Sequence, residues 1–164
     1  MTSSIEAAQR GELTRILELL EEADLPVAGV DHAESFLVAR ERVEQAEQGR
    51  LVGCIGLETY GDVGLLRSLA VRPDTRGGGV GKLLVERLLE TARARGVSAM
   101  YLLTTTAAEY FPRFGFEPIP REQADSRLQA SEEFRGACPD SAVCMRRPLG
   151  AAAARLLRRA GRLR

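Results

Sequence analysis

Apolar residues follow a helical period in two stretches of the chain. Residues 12–23 carry an i, i+3, i+4, i+7 pattern, which predicts an amphipathic helix that Pro26 ends. That first stripe comprises Leu13, Ile16, Leu17 and Leu20. A stronger pattern predicts a second helix over residues 80–95, with Gly96 closing its C-terminus. The second stripe comprises Val80, Leu83, Leu84, Leu88 and Ala92.

The remaining apolar runs are short and indicate strands. They lie at residues 36–42, 51–60, 63–71, 97–104, 116–119 and 141–149. Gly61 and Asp62 predict a tight turn, so the first three strands are expected to form a meander. Residues 106–114 predict a short helix stopped by Gly115, and residues 121–135 a helical excursion over the surface. Strands that meander first and then alternate with helices favour a mixed α/β fold around one sheet.

Composition narrows the class of protein. The 164 residues predict a single domain over residues 1–149, followed by a basic tail over residues 150–164. Because 23 basic residues balance 23 acidic ones, we expect no nucleic-acid partner. The N-terminus lacks a signal-peptide pattern, and no apolar run approaches the roughly 20 residues of a membrane span. We therefore expect no membrane partner and a cytoplasmic location.

The most informative stretch joins a buried strand to the second helix through a glycine-rich loop. Helix starts leave backbone N–H groups unpaired, and the helix dipole adds positive charge there. Glycines let an anion approach such a backbone closely, and Arg76 and Lys82 bracket this cluster with positive charge. The loop is therefore interpreted as a phosphate-binding cradle. A Walker A loop is excluded because Leu83 replaces its magnesium-binding hydroxyl, and neither glycine register fits a dinucleotide fingerprint.

Arg76, Gly79 and Gly81 form an RxxGxG pattern. This resembles the pyrophosphate-binding signature of the GNAT N-acetyltransferase superfamily, and the order of strands and helices over residues 5–149 is similar as well. The resemblance implies a mostly antiparallel sheet that splays between its fourth and fifth strands and has flanking helices. It also implies acetyl-CoA as co-substrate, no metal, and direct attack of an amine on the thioester without an acyl-enzyme.

The resemblance also implies which residues hold acetyl-CoA. The backbone of Leu69, Ala70 and Val71 would pair with the pantetheine arm, and the cradle would hold the pyrophosphate. The cradle comprises Arg76, Gly77, Gly78, Gly79, Val80, Gly81 and Lys82. Thr104 occupies the place where many relatives have asparagine, and it and Thr105 offer hydroxyls to CoA or substrate.

The catalytic residues are less well marked. Many relatives carry a tyrosine four residues before the GF glycine as the acid that protonates the leaving thiolate, and this chain has Phe111 there. Tyr110, one place earlier, is the candidate acid, with core packing of the aromatic rings as the alternative. Glu58, at the end of a neighbouring strand, is the first candidate for the base, with a water relay as the alternative. His32, the only histidine, is a further candidate because its side chain titrates near neutrality.

Arg67 interrupts an otherwise apolar strand. A charge there is costly unless it is paired, so Arg67 either meets an internal glutamate or grips an anionic substrate, with Ser68 beside it. The segments GDVGLLRSLAV, YLLTTTA and FRGACPDSAVCMRRPL resemble the arsenic-resistance branch of GNAT proteins. That resemblance implies a small acidic amino acid or an arsinothricin- or phosphinothricin-like analogue as acceptor. Arg121 or Arg135 would then supply further anion contacts.

Two other classes of function stay open. The missing tyrosine leaves a non-catalytic acetyl-CoA sensor as the alternative to an enzyme. Soft thiolates at Cys138 and Cys144 suit a metalloid, although free cysteines are more commonly small buried hydrophobic residues. Homodimers are common among relatives, but no interface is legible in the sequence.

Overall fold

The computed structural model describes residues 3–31 and 35–150. Its seven strands hydrogen-bond in the order β1-β2-β3-β4-β5-β7-β6. The strands are β1 (Ser3–Ala7), β2 (Phe36–Val43), β3 (Ala46–Tyr60), β4 (Val63–Val71), β5 (Ala99–Thr104), β6 (Glu117–Ile119) and β7 (Val143–Pro148). The α-helices in the described part are α1 (Leu13–Glu22) and α2 (Val80–Ala94). None of the described helices is long and apolar enough to cross a membrane.

The sheet is mixed and mostly antiparallel, as the sequence predicted. β2 pairs antiparallel with β1 and β3, and β7 pairs antiparallel with β5 and β6. β4 and β5 run parallel, with a ladder that joins Val63–Leu65 to residues 99–101. Parallel neighbours need a crossover connection, and α2 supplies it.

The chain divides into two compact units. The described part of the first unit comprises residues 3–31, 35–57 and 66–88, and that of the second comprises residues 58–65 and 89–150. In the first unit, Ile16 and Leu20 of α1 pack with Val38 and Cys54 in one core cluster. Gly53 is the next residue along β3, and a Cβ built there would lie 3.0 Å from Leu84 of α2. Because successive strand residues face opposite ways, α1 and α2 cover opposite faces of β3.

A buried ion pair also supports the first unit. The guanidinium of Arg40 on β2 donates to both carboxylate oxygens of Glu12, and its Nε donates to Glu6 at 3.1 Å. The Arg40 hydrogen bonds hold the pKa of Glu12 below its ordinary value despite burial of the carboxyl. Removing one partner would leave a buried charge unpaired, which typically lowers the free energy of unfolding by about 3–5 kcal/mol.

The second unit has its own core, built on β5 and β7. Tyr101, Leu103 and Cys144 pack there with Leu128 and Phe134. The last two side chains come from the stretch predicted as a surface helix, which instead forms short turns. Those turns are Arg121–Gln123 and Ser126–Ala130, both 3₁₀, and the π-turn Glu133–Ala137. This stretch is therefore a covering segment of the core.

Other sequence expectations need correction. β1 was not predicted, and the helix expected over residues 106–114 is only a 3₁₀ turn at Phe111–Phe114. Pro112 has no N–H, and inside a helix its ring would clash with the carbonyl four residues earlier, so a regular helix does not form over residues 106–114. Leu83 was placed in the apolar stripe of α2 but is 44% exposed.

Candidate functional site

The glycine-rich loop lies directly before α2. β4 ends at Val71, a 3₁₀ turn covers Pro73–Thr75, and α2 begins at Val80. Gly77 and Gly79 have φ values of +88° and +82°, in the left-handed region that side chains disfavour. A Cβ built on either residue would meet no atom within 4 Å. The loop therefore presents backbone with open space before it.

The start of α2 adds hydrogen-bond donors to this space. The Leu83 N–H donates to the Gly79 carbonyl at 3.1 Å, which closes the first helical turn. In an α-helix the N–H groups that precede the first intrahelical donor have no acceptor within the helix. In α2 these are the N–H groups of Val80, Gly81 and Lys82. Together with the helix dipole they form a site suited to an anion.

Two cations border the cradle. The Nε of Arg76 donates to the Val71 carbonyl at 3.3 Å, and this side chain is exposed. The Lys82 side chain is 68% exposed, and its Nζ lies 3.9 Å from Oε1 of Glu86, one helical turn later. Both charges are accessible to a phosphate group.

The loop is anchored by side chains that the sequence analysis did not identify. The Nε of Arg72 donates to the Leu51 carbonyl at 2.8 Å, and Arg50 donates to Asp74 at 2.7 Å. The Asp74 pKa is lowered by its hydrogen bond to Arg50 and then by that to Thr75. Charged residues beside a predicted turn were the only sequence indication of these anchors.

Arg67 and Ser68 lie on β4 in the same unit as the cradle. The Arg67 side chain is 3% exposed, its Nε donates to the Ser68 hydroxyl at 2.9 Å, and one terminal nitrogen donates to the Pro26 carbonyl at 3.3 Å. Leu69, Ala70 and Val71 continue the strand, with Ala70 buried and the other two half-buried. The structure thus gathers the cradle, these strand residues and the predicted anion contact in one unit.

The candidate base has a partner that the sequence analysis did not identify. The Tyr60 hydroxyl donates to Glu58 Oε1, and both side chains are half-buried. Residues two apart on a strand share a face, which was the available sequence indication. Glu58 belongs to the second unit, as do Tyr110, Thr104, Thr105 and Arg121.

Tyr110 stands at the edge of an aromatic cluster. Its ring meets Phe111 and Phe114 edge-on, with centroids 5.4 and 5.3 Å away, and the Arg113 guanidinium lies 4.5 Å from its centroid. Phe111 and Phe116 are buried and meet at 5.8 Å. Phe111 is therefore a core residue, and the partly exposed Tyr110 carries the one hydroxyl of this cluster.

The remaining predicted contacts have structural partners. Arg121 donates to the carbonyls of Pro139 and Phe134 at 3.2 and 3.3 Å, and Arg135 donates to the Gln129 carbonyl at 3.0 Å. The Thr104 hydroxyl accepts the Ala107 N–H, whereas Thr105 is exposed. His32 lies outside the described residues.

Cys54, Cys138 and Cys144 are buried, and none of the three forms a disulfide. Burial raises the pKa of the Cys54 thiol to about 12, and it also raises the pKa of Cys144. A thiol held protonated is a poor nucleophile and a poor metal ligand. Within residues 3–31 and 35–150, no group of three His, Cys, Asp or Glu side chains is arranged to hold a metal ion.

Comparison with known proteins gives a consistent result. Residues 32–118 match the acetyltransferase (GNAT) domain family. The amino-acid acetyltransferase of Pseudomonas syringae is 41% identical over 90 residues, which are 54% of this chain and 21% of that protein. The N-acetylglutamate synthase of Neisseria gonorrhoeae, solved with coenzyme A and N-acetyl-glutamate, superposes with a TM-score of 0.75 at 25% identity, over 92% of this chain and 36% of that one.

A shorter neighbour shows the same fold. Rv2747 from Mycobacterium tuberculosis, solved in complex with CoA, has a TM-score of 0.68 at 22% identity, with 88% of this chain and 98% of that chain covered. By contrast, the chain spans less than a third of the length of the curated relatives that it matches, from 18% to 29% of each.

Proposed function

Because the chain belongs to the GNAT acetyltransferase family, we propose that it transfers the acetyl group of acetyl-CoA to the amine of a small acidic amino acid. The observation that carries this proposal is the cradle before α2, where Gly77 and Gly79 expose backbone in the left-handed region with open space in front of it. Such a helix start is suited to a pyrophosphate group.

Acetyl-CoA binding would use the cradle and the end of β4. The N–H groups of Gly77–Lys82 would hold the pyrophosphate, with Arg76 and Lys82 adding charge at its border. The backbone of Leu69, Ala70 and Val71 would accept the pantetheine arm as an added strand. Thr104 remains a proposed contact through its hydroxyl proton, because its oxygen already accepts the Ala107 N–H.

Arg67 supports an acidic acceptor. A guanidinium binds carboxylates and related anions through parallel N–H donors, and burial strengthens that attraction. Arg67 is buried on the strand that leads into the cradle. Relatives of this chain are named amino-acid acetyltransferases, and one structural neighbour was solved with N-acetyl-glutamate. Ser68 and Thr105 are secondary proposed members of the acceptor site, and Arg121 is a weaker one because two carbonyls already accept from it.

The finer prediction is an arsinothricin- or phosphinothricin-like acceptor. Such molecules combine an α-amine with a second acidic group, which is the chemistry that Arg67 suits. The Pseudomonas syringae relative is named an amino-acid acetyltransferase and one structural neighbour was solved with N-acetyl-glutamate, so glutamate is the reference acceptor and the analogues form a separate arm of the test.

The proposed reaction is a direct transfer in a ternary complex. The neutral amine attacks the thioester carbonyl carbon, an N–C bond forms, and the C–S bond breaks as the CoA thiolate leaves. Before the attack, Glu58 would take one proton from the ammonium group of the acceptor, directly or through water. As the tetrahedral adduct collapses, Tyr110 would protonate the thiolate, and the second proton lost by the nitrogen would return to the Tyr110 oxygen. The Tyr60 hydroxyl would orient the Glu58 carboxylate by the hydrogen bond that it donates.

Thiol release tests the proposal. Free CoA would be followed from acetyl-CoA with glutamate, aspartate, phosphinothricin, arsinothricin, a neutral amino acid, spermidine and a lysine peptide. Release with the acidic amino acids supports the proposal, and release with the analogues alone supports the arsenic-resistance branch. Release only with spermidine or the peptide would contradict it, and acetyl-CoA binding without any turnover would favour the sensor.

Two substitutions examine the proton transfers. Tyr110→Phe and Glu58→Gln should each lower kcat by about 10²–10⁴-fold, the usual range for a lost general acid or base. Tyr110→Phe keeps the ring contacts with Phe111 and Phe114, so the free energy of unfolding should change little. Unchanged kcat in either variant would remove that residue from the mechanism.

A further inference from the structure

Ser68 adopts an unusual conformation inside β4. Its φ is +61°, and Asp24 is the only other non-glycine residue with positive φ among those described. Glycine occupies the left-handed region without steric cost, whereas a serine there is strained. Such strain persists only where the surroundings fix it, and it gathers at functional sites.

Contacts at both ends of the residue hold Ser68 in place. Its hydroxyl accepts from Arg67 Nε at 2.9 Å, and its carbonyl accepts from the Cys54 thiol at 3.5 Å. Ser68, Arg67 and Cys54 are all buried. The hydroxyl is the hydrogen-bonding group that the strain-free glycine lacks, so the contact with Arg67 gives this strained serine a specific role.

That contact also fixes the plane of the Arg67 guanidinium. All five N–H donors of an arginine lie in one plane, so two hydrogen bonds from different nitrogens define its orientation. Here Nε donates to Ser68 and a terminal nitrogen donates to the Pro26 carbonyl. Packing supports the stem of the side chain, because a Cβ added at Gly56 would lie 3.2 Å from the Arg67 Cγ.

We propose that Ser68 is a positioning residue for acceptor specificity: its hydroxyl holds the Arg67 guanidinium in the orientation that grips the acidic group of the acceptor. The inference rests on the proposed function and deepens it, since Ser68 acts through Arg67 instead of contacting the substrate. Preorganisation of this kind improves binding of the correct acceptor without altering the chemical step.

Paired variants separate the hydroxyl from the backbone strain. Ser68→Gly removes the hydroxyl and relieves the backbone strain. Ser68→Ala also removes the hydroxyl but keeps the backbone strain. Both should raise the KM for glutamate about tenfold, the usual consequence of losing a hydrogen bond to a charged group, with kcat little changed. The acetyl-CoA Kd should stay within about twofold, and Ser68→Gly should be the more stable of the two variants.

A double-mutant cycle then tests whether Ser68 acts through Arg67. In the Arg67→Ala background, Ser68→Gly should raise the glutamate KM no further, since no guanidinium remains to be oriented. Additive effects would overturn the inference by making Ser68 a direct contact. An effect of the Ser68 variants on acetyl-CoA Kd instead of acceptor KM would also overturn it, by making Ser68 a residue that shapes the CoA strand.

The outcome for the wild type keeps the two proposals apart. Wild-type activity with glutamate, together with Ser68 variants of unchanged KM, would overturn this inference and leave the proposed function standing. A wild type that acetylates neither the acidic amino acids nor their arsinothricin- and phosphinothricin-like analogues would overturn the proposed function and this inference with it.

Discussion

Two loop segments of the molecule differ in what determines their structure. The cradle segment, residues 72–82, is largely exposed and is defined by backbone: left-handed glycines followed by a helix start. The aromatic segment, residues 105–116, is defined by packing, with Phe111, Phe114 and Phe116 each less than a tenth exposed. The comparison teaches that a backbone site is specified by a few local residues, whereas a packed one depends on partners distant in sequence.

The largest expected effect concerns one apolar side chain in each segment. Phe111→Ala should lower the free energy of unfolding by about 3–5 kcal/mol, because it empties a buried site in contact with Tyr110 and Phe116. Leu83→Ala should change it by less than about 0.5 kcal/mol, because Leu83 is 44% exposed. Urea denaturation followed by circular dichroism measures both.

This pair of variants contrasts an exposed position with a buried one. The sequence pattern placed Leu83 in the core stripe of α2, and a cost above about 2 kcal/mol for Leu83→Ala would mean that its side chain packs in the core. A small cost for Phe111→Ala would mean that the aromatic segment is not a packed region.

Local signals explain what could be predicted of the fold. The apolar period and Gly96 located α2, and the Gly61 turn located the meander. β1 could not be predicted because its polar residues gain their hydrogen bonds from β2, from Ser3↔Glu41 to Ala7↔Leu37. The helix predicted over residues 106–114 was wrong because Pro112 lacks an N–H and its ring disfavours a helix interior, which outweighs the helix propensity of its neighbours.

The same division applies to the site. The cradle was predicted because glycine positions and a helix start are visible in sequence. The Tyr60–Glu58 hydrogen bond and the strained Ser68 were not, because both depend on side-chain placement within the folded strands. In the described part of the chain, Arg67 donates to a hydroxyl and to a carbonyl, contacts that no sequence pattern indicates.

The second largest expected effect concerns two glycines, and it separates the cost of backbone strain from the loss of acetyl-CoA binding. Gly79 and Gly96 have φ values of +82° and +81°, and a Cβ built on either meets nothing within 4 Å. Valine at either position should therefore cost similar stability, at least about 1–2 kcal/mol. Gly79→Val alone should weaken acetyl-CoA binding, by about a hundredfold, because its side chain would occupy the space before the cradle amides.

Calorimetric titration with acetyl-CoA, at a temperature where both variants are folded, makes the comparison. Equal loss of affinity in Gly79→Val and Gly96→Val would assign the effect to global strain. Full affinity in Gly79→Val would remove the cradle from the acetyl-CoA site.

The smallest effect concerns one cation from each segment. Lys82→Gln should weaken acetyl-CoA binding about threefold at low salt, because an exposed charge near a phosphate contributes under about 1 kcal/mol and is screened by ions. Arg113→Gln removes the cation above the Tyr110 ring, so it should cost about 0.5–1 kcal/mol of stability and leave acetyl-CoA affinity unchanged. At about 1 M salt, where the screening length is about 3 Å, calorimetric titration should show the same acetyl-CoA affinity for wild type and Lys82→Gln. A difference that survives high salt would mean that Lys82 donates a direct hydrogen bond to the ligand, and loss of affinity in Arg113→Gln would extend the binding site to the aromatic segment.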